Sequence, residues 1–93
     1  MNEKMLNYLV ELIGTYLYVF INIYSKNAII TGLSLASIII FGHLLSFNGH
    51  YNPVVTFLMF IDNKLTITEL LINVGLQFFA GYLAYLTYKI VKY

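Results

Sequence analysis

The sequence predicts an all-α membrane protein with three transmembrane helices and one re-entrant half-helix. Three observations carry this. Of 93 residues, 60% are hydrophobic and 10% charged, with mean hydropathy +0.80, whereas soluble chains average about 25% charged residues. Three apolar stretches each approach the roughly 20 residues that a bilayer core requires. A further apolar stretch between the second and third is too short to cross, and it opens with Asn52-Pro53.

The same composition excludes several classes of function. With no cysteine, the chain has no disulfides, thiolate metal sites or cysteine nucleophiles. A formal net charge of +1 gives no reason to expect nucleic acid as a partner. His43 and His50 lack a nucleophile or metal-ligating companions in the pattern, so no catalytic, metal or cofactor site is read.

The first span covers about 5–24, interrupted by Asn7, Glu11 and Asn22. It is too long for a signal-peptide core, and its polar residues argue against a cleaved leader. Ser25-Lys26-Asn27 reads as a minimal turn. The second span, about 28–47, carries Gly32, Ser34, Ser37 and Gly42 as small surfaces for close helix approach. Gly14 and Gly81 are read in the same way. The third span, about 66–91, opens on Thr66-Ile67-Thr68-Glu69, a capped helix start, and closes with Lys89 and Lys92 at an interface. Several of the nine tyrosines, Tyr8, Tyr24, Tyr88 and Tyr93 among them, fall near span ends as interfacial anchors do.

The re-entrant loop and half-helix occupy about 48–61. Asn52 before Pro53 reads as an N-cap followed by the first helical residue. Eight residues make about 12 Å of helix, close to half of a ~30 Å hydrocarbon core. Anchored at an interface by Asp62 and Lys64, such a helix would bring Asn52 to the midplane. Its N-terminus would offer a partial positive charge and free N–H groups. The Asn52 oxygen caps those N–H groups, leaving its amide nitrogen to donate into a cavity. Upstream, Gly49-His50-Tyr51 could present carbonyl acceptors. Donors at a positive dipole end favour neutral solutes and repel cations.

At these residues the chain resembles a known family. His50-x-Asn52-Pro53-Val54-Val55-Thr56 is similar to the first Asn-Pro-Ala box of the aquaporin and glycerol-channel family, with Val54 in place of its alanine. Glu11-Leu-Ile-Gly14-Thr15 followed by Phe20 resembles that family's first helix, and Gly32-Leu33-Ser34-Leu35-Ala36-Ser37 its second. Gln77-Phe-Phe-Ala80-Gly81-Tyr-Leu-Ala84 resembles its third, with the glycine and alanine exchanged. The spacing from Asn52 to Gln77 matches without gaps, and Gly32 to Asn52 is one residue longer. The resemblance covers nearly the whole chain and implies half of an aquaporin-like fold.

What it implies for function is a passive channel for water or small neutral solutes such as glycerol. Asn52, His50, Gly49, Thr31 and Val55 would line the pore, and Asn52, Pro53 and Val54 would form the re-entrant motif. His50 could instead be a packed, hydrogen-bonded residue, and His43 carries no family role. The resemblance makes Glu11 a brace for the re-entrant loop, with Gln77 beside it.

Two departures stand out. The family carries two inverted repeats, each with one half-helix, and this chain has one. The family's second box also places an arginine three residues after its asparagine, at the outer constriction; Val55 stands in that place, and the chain has no arginine. Thr31, just before Gly32, would face the constriction, opposite Ile39 or Ile40 from a second repeat. A pore therefore requires pairing, either with a second copy in inverted orientation or with a separately encoded second half. With the N-terminus inside, Lys4 and Lys64 fall on one side and Lys26, Lys89 and Lys92 on the other, so the positive-inside rule selects neither orientation. The expected partners are thus the lipid bilayer, a second half and small neutral solutes, and higher oligomers are compatible.

Two other functions stay open. The chain could be a non-conducting or modulatory membrane subunit. It could also be a small multidrug-type carrier in which Glu11 exchanges protons, because an intramembrane carboxylate is by default a functional group.

Overall fold

The structure, a computed structural model, describes residues 2–92; Tyr93, read above as an interfacial anchor, lies outside the described residues. Four helices follow one another: α1 (Glu3–Ser25), α2 (Ala28–Leu44), α3 (Pro53–Ile61) and α4 (Ile67–Val91), and the described residues contain no strand. Each helix starts on a side chain that accepts from an otherwise orphaned backbone N–H. Asn2 accepts from the Met5 N–H at 2.9 Å, and Asn27 from Ile30 at 3.0 Å. Thr66 and Glu69 form a reciprocal capping box, with bonds of 2.9 and 3.1 Å.

Among the three long apolar segments, the helix ends differ most from the segment ends at the end of α2. The apolar run continues to Phe47, but the helix stops at Leu44. There the Phe47 N–H donates to the Gly42 carbonyl at 2.8 Å and the Ser46 N–H to His43 at 2.9 Å, with Ser46 left-handed at φ 68°. This is a Schellman stop, made by a serine where glycine would be the usual residue. The end of α3 repeats it: Asn63, at φ 61°, donates to Phe60, and Lys64 donates to Met59, both at 3.0 Å.

Helix α1 lies between α4 and α2, and α3 packs on α4; α2 touches neither α3 nor α4. The interior is unusual for its polarity. Alongside Tyr51, Leu70, Ala80 and Ala84 it buries Glu11, Thr15, Thr56, Asn73 and Gln77. The outside is apolar, with Phe41, Phe78 and Ile90 at 66%, 68% and 78% exposure. This inverts the arrangement of a water-soluble chain, in which large exposed apolar surfaces mark contact with something other than water.

Two helices, α1 with 23 residues and α4 with 25, are long and apolar enough to cross a membrane. Only 17% and 28% of their apolar windows are buried, unlike the core helix of a soluble protein. The surroundings they fit are lipid. Helix α2, at 17 residues, is shorter, about 25 Å long.

The glycines divide into two groups. A Cβ at Gly14 would lie 2.2 Å from the Tyr51 ring, and one at Gly42 would lie 3.1 Å from the Tyr51 hydroxyl. These are close-approach positions, although the neighbour is an aromatic ring and not a second helix. At Gly32 and Gly81 a Cβ would meet nothing within 4 Å among the described residues, so no described element approaches either one. The expectation of close contact fails there within the chain.

Candidate functional site

The site is assembled where the stretch between α2 and α3 folds back against α1 and α4. Residues 48–51 are outside regular structure, so their backbone groups need partners from elsewhere. Glu11, at the middle of α1 and 2% exposed, supplies them. One carboxylate oxygen, Oε2, accepts from the His50 N–H at 2.9 Å. The other, Oε1, accepts from the Tyr51 N–H, and from Gln77 Nε2 at 2.8 Å. An ionised carboxylate is an acceptor only, and here it meets three donors from the loop and from α4.

Gln77 links this centre to α3. Its Nε2 also donates to Thr56 Oγ1 at 2.8 Å. The Thr56 hydroxyl donates to the Asn52 carbonyl at 3.2 Å and lies 3.0 Å from His50 Nδ1. With the Thr56 proton on Asn52, a His50 tautomer protonated at Nδ1 donates to Thr56; the other tautomer instead accepts from the Thr56 hydroxyl. Glu11, Gln77, His50 and Thr56 thus bind the loop, α1, α3 and α4 into one hydrogen-bonded unit.

Asn52 and Pro53 stand at the tip of this unit. Asn52 is extended at φ −153°, its Oδ1 accepts from the Val54 N–H at 2.8 Å, and Pro53 occupies the first helical turn. The Asn52 side chain is exposed, and its Nδ2 donates to no described residue. Val54 and Val55 follow on the open surface of α3, at 63% and 38% exposure.

Tyr51 and Thr56 are central to the site and were not singled out from the sequence. Tyr51 is left-handed at φ 58° and 4% exposed, a conformation a tyrosine adopts only when its surroundings over-determine it. Its ring lies against Gly14, Gly42 and Gly49, and a Cβ at Gly49 would come within 2.3 Å of it. The spacing of glycines did carry a signal of close approach, but no sequence pattern names the side chain that fills the gap. Thr56 lies four residues after Asn52, one helical turn on, and its position within the quoted motif was the available clue.

A cleft of about 480 Å³ leads to the site from the end of the molecule where α1 and α4 begin. The Lys4–Glu69 pair, at 3.8 Å, stands at its mouth, and Asn7, Asn48 and Asn73 line the way to Glu11, Gly49 and His50. Gly49 and His50 are therefore half-buried residues facing a polar space. Thr31 is elsewhere, on α2 beside the α1–α2 turn, in a separate recess with Tyr18, Asn22 and Lys26. Its Oγ1 is buried without a partner among the described residues, and this chain does not bring it together with Val55.

No family model, curated protein or solved structure matches the chain. Any functional conclusion therefore rests on this geometry. Among the described residues no group of three histidine, aspartate or glutamate side chains could hold a metal ion. The strongest chemical feature is the N-terminal tip of the short helix α3, with a free amide donor on Asn52 and a loop before it held by a buried carboxylate.

Proposed function

We propose that the chain is one half of a passive channel for water or small neutral solutes of the glycerol type. In this reading α1, α2 and α4 span the bilayer in a multi-pass arrangement. Helix α3 is re-entrant, its nine residues giving about 13 Å, near half of a ~30 Å core. Two halves meet to close the pore, first of all two copies in antiparallel orientation; a separately encoded second half is the competing arrangement.

The observation that carries this reading is the state of Asn52. Its oxygen is committed to the Val54 N–H, so the exposed Nδ2 is oriented as a donor at the positive end of a helix dipole. A neutral solute oxygen accepts from it, and a cation is repelled there. With Val55 and Thr31 in place of a charged constriction, such a pore is wider and less polar than a strict water channel.

The proton-carrier reading of Glu11 has no such support. A proton taken up by its carboxylate would displace one of three hydrogen bonds and loosen the loop at every cycle.

Liposome swelling with water, glycerol and urea, using purified wild type and Asn52→Asp, tests the proposal. The wild type should conduct, and the variant, which exchanges the donor for an acceptor, should lose most of the flux. A well-folded wild type that passes no solute would overturn the homomeric channel. Single cysteines introduced near Lys26 and Lys64 should each label from both sides of the membrane if the copies are antiparallel. One-sided labelling would overturn the antiparallel pairing.

A further inference from the structure

The Tyr51 ring fills the gap between Gly14, Gly42 and Gly49. A phenylalanine ring would fill it equally, so packing gives the hydroxyl no task. Among the described residues Tyr51 bonds only through its backbone N–H, to Glu11. A buried tyrosine hydroxyl ordinarily has a partner, and this residue is 4% exposed.

The hydroxyl is nevertheless open on one side. The sealed orphan atoms of the described residues are Thr15 Oγ1, Thr31 Oγ1 and Gln77 Oε1, and Tyr51 Oη is not among them. A Cβ at Gly42 would lie 3.1 Å from that oxygen, and Tyr51 and Gly42 line the same groove between α1 and α2. Tyr51 takes no part in the polar cleft at Glu11, and the recess it borders at Thr15 and Pro53 does not include Gly42. The hydroxyl therefore faces the α1–α2 groove.

That groove holds about 420 Å³, walled by Val10, Ile13 and Leu17 of α1 and Ile38, Phe41 and Leu45 of α2. Ser37 also lines it, but its proton goes to the Leu33 carbonyl at 2.8 Å. Among the described residues, Tyr51 thus supplies the free donor in an apolar track. Leu17, Ser37 and Ile38 carry the groove on into a recess of about 410 Å³ that reaches Ile21 and Ile30. From Leu45 to Ile30 the track runs about 22 Å, more than the ~15 Å depth of one leaflet. Its first part, 420 Å³ over the roughly 10 Å between residues 38 and 45, has a section of about 40 Å². An α-helix about 10 Å across needs twice that, so the groove suits a chain of methylenes and not a helix.

We propose that the groove binds the acyl chain of a membrane phospholipid, with the Tyr51 hydroxyl donating to its ester carbonyl. The depth agrees. Gly42 lies two residues before Leu44, the end of α2. With α2 centred in a ~30 Å core, Gly42 is about 5 Å below the hydrocarbon boundary, and a bilayer thins around a short span. The ester carbonyl is the lipid acceptor at that level, and the acyl chain runs inward from Leu45 toward Ile30. The proposal rests on the multi-pass arrangement proposed above but not on conduction, so lipid binding and solute flux fail separately.

Native mass spectrometry of the full chain in mild detergent tests it, by titration with dipalmitoyl phosphatidylcholine and with the dihexadecyl ether analogue, which lacks only the carbonyls. The wild type should bind the ester lipid saturably and about fivefold more tightly than the ether, the worth of one hydrogen bond. Tyr51→Phe removes an oxygen that bonds to no described residue, so it should unfold at the wild-type denaturant midpoint and bind both lipids equally. Ser37→Phe, which fills the groove from an exposed position on α2, should abolish saturable binding of both. Equal affinity of the wild type for ester and ether, a preference that survives Tyr51→Phe, a lowered midpoint in that variant, or binding unchanged by Ser37→Phe would overturn the proposal. So would a lipid-free dimer that Ser37→Phe disperses, which would assign the groove to a second copy.

Discussion

Replacing Glu11 by glutamine changes one oxygen to an NH₂ group and removes the charge, with almost no change of shape. In the wild type, Oε1 accepts from Tyr51 and Gln77 and Oε2 from His50. A glutamine serves the larger set best by placing its carbonyl at the Oε1 position. Its NH₂ then faces the His50 N–H, donor against donor. One charge-assisted bond is lost outright, about 1.5–3 kcal/mol, and a part-buried N–H is left unsatisfied. The two surviving bonds become neutral and weaken by roughly half. The expected destabilisation is about 3–4 kcal/mol, a large share of the ~5–15 kcal/mol that folded chains typically have. Equilibrium unfolding in mixed micelles, followed by far-ultraviolet circular dichroism, measures it. A change below about 0.5 kcal/mol would refute the brace. It would also favour a proton-exchanging Glu11, because glutamine mimics the protonated acid that a carrier must tolerate.

Gly14→Ala should destabilise the chain by about 1–3 kcal/mol through overpacking, since its Cβ would lie 2.2 Å from the Tyr51 ring. Gly81→Ala should be neutral to stabilising by up to about 1 kcal/mol, and the same unfolding assay compares the two. Ser46→Gly should stabilise by about 0.5–1 kcal/mol, because Ser46 holds φ 68°, where a side chain is a steric burden; a loss of stability would show that the Ser46 side chain makes a compensating contact.

Legibility in the sequence followed the range of the interaction. Asn2, Asn27, Asn52 and Thr66 cap helices through bonds that span two or three residues, so helix starts could be read locally. The stop of α2 could not, because a left-handed Ser46 has no compositional signature and the apolar run continues past it. The Glu11–Gln77 bond joins residues 66 apart, and only the family resemblance paired them. Tyr51 was missed because its role is set by three glycines on separate parts of the chain. Gly32 and Gly81 look like Gly14 in sequence, yet α1 meets the loop at Gly14 and no described residue comes within 4 Å of a Cβ at the other two.

The backbone hydrogen bonds make the loop the decisive element. After α2, the N–H groups of Leu45, Ser46 and Phe47 are taken up by the last carbonyls of that helix. Those of His50 and Tyr51 go to Glu11, and that of Val54 to Asn52. The N–H groups of Asn48 and Gly49 donate to no described residue, and both residues line the 480 Å³ cleft. Irregular backbone with free polar groups survives at membrane depth only when it is buried in protein or faces water. The outer surface of this chain is apolar, so its polar seam, from Lys4 and Glu69 through Asn73 to Glu11 and Gln77, is the place where such groups can be hydrated. If the chain sits in a bilayer, this seam must be wet, and the carboxylate that holds the loop also fixes where the water can go.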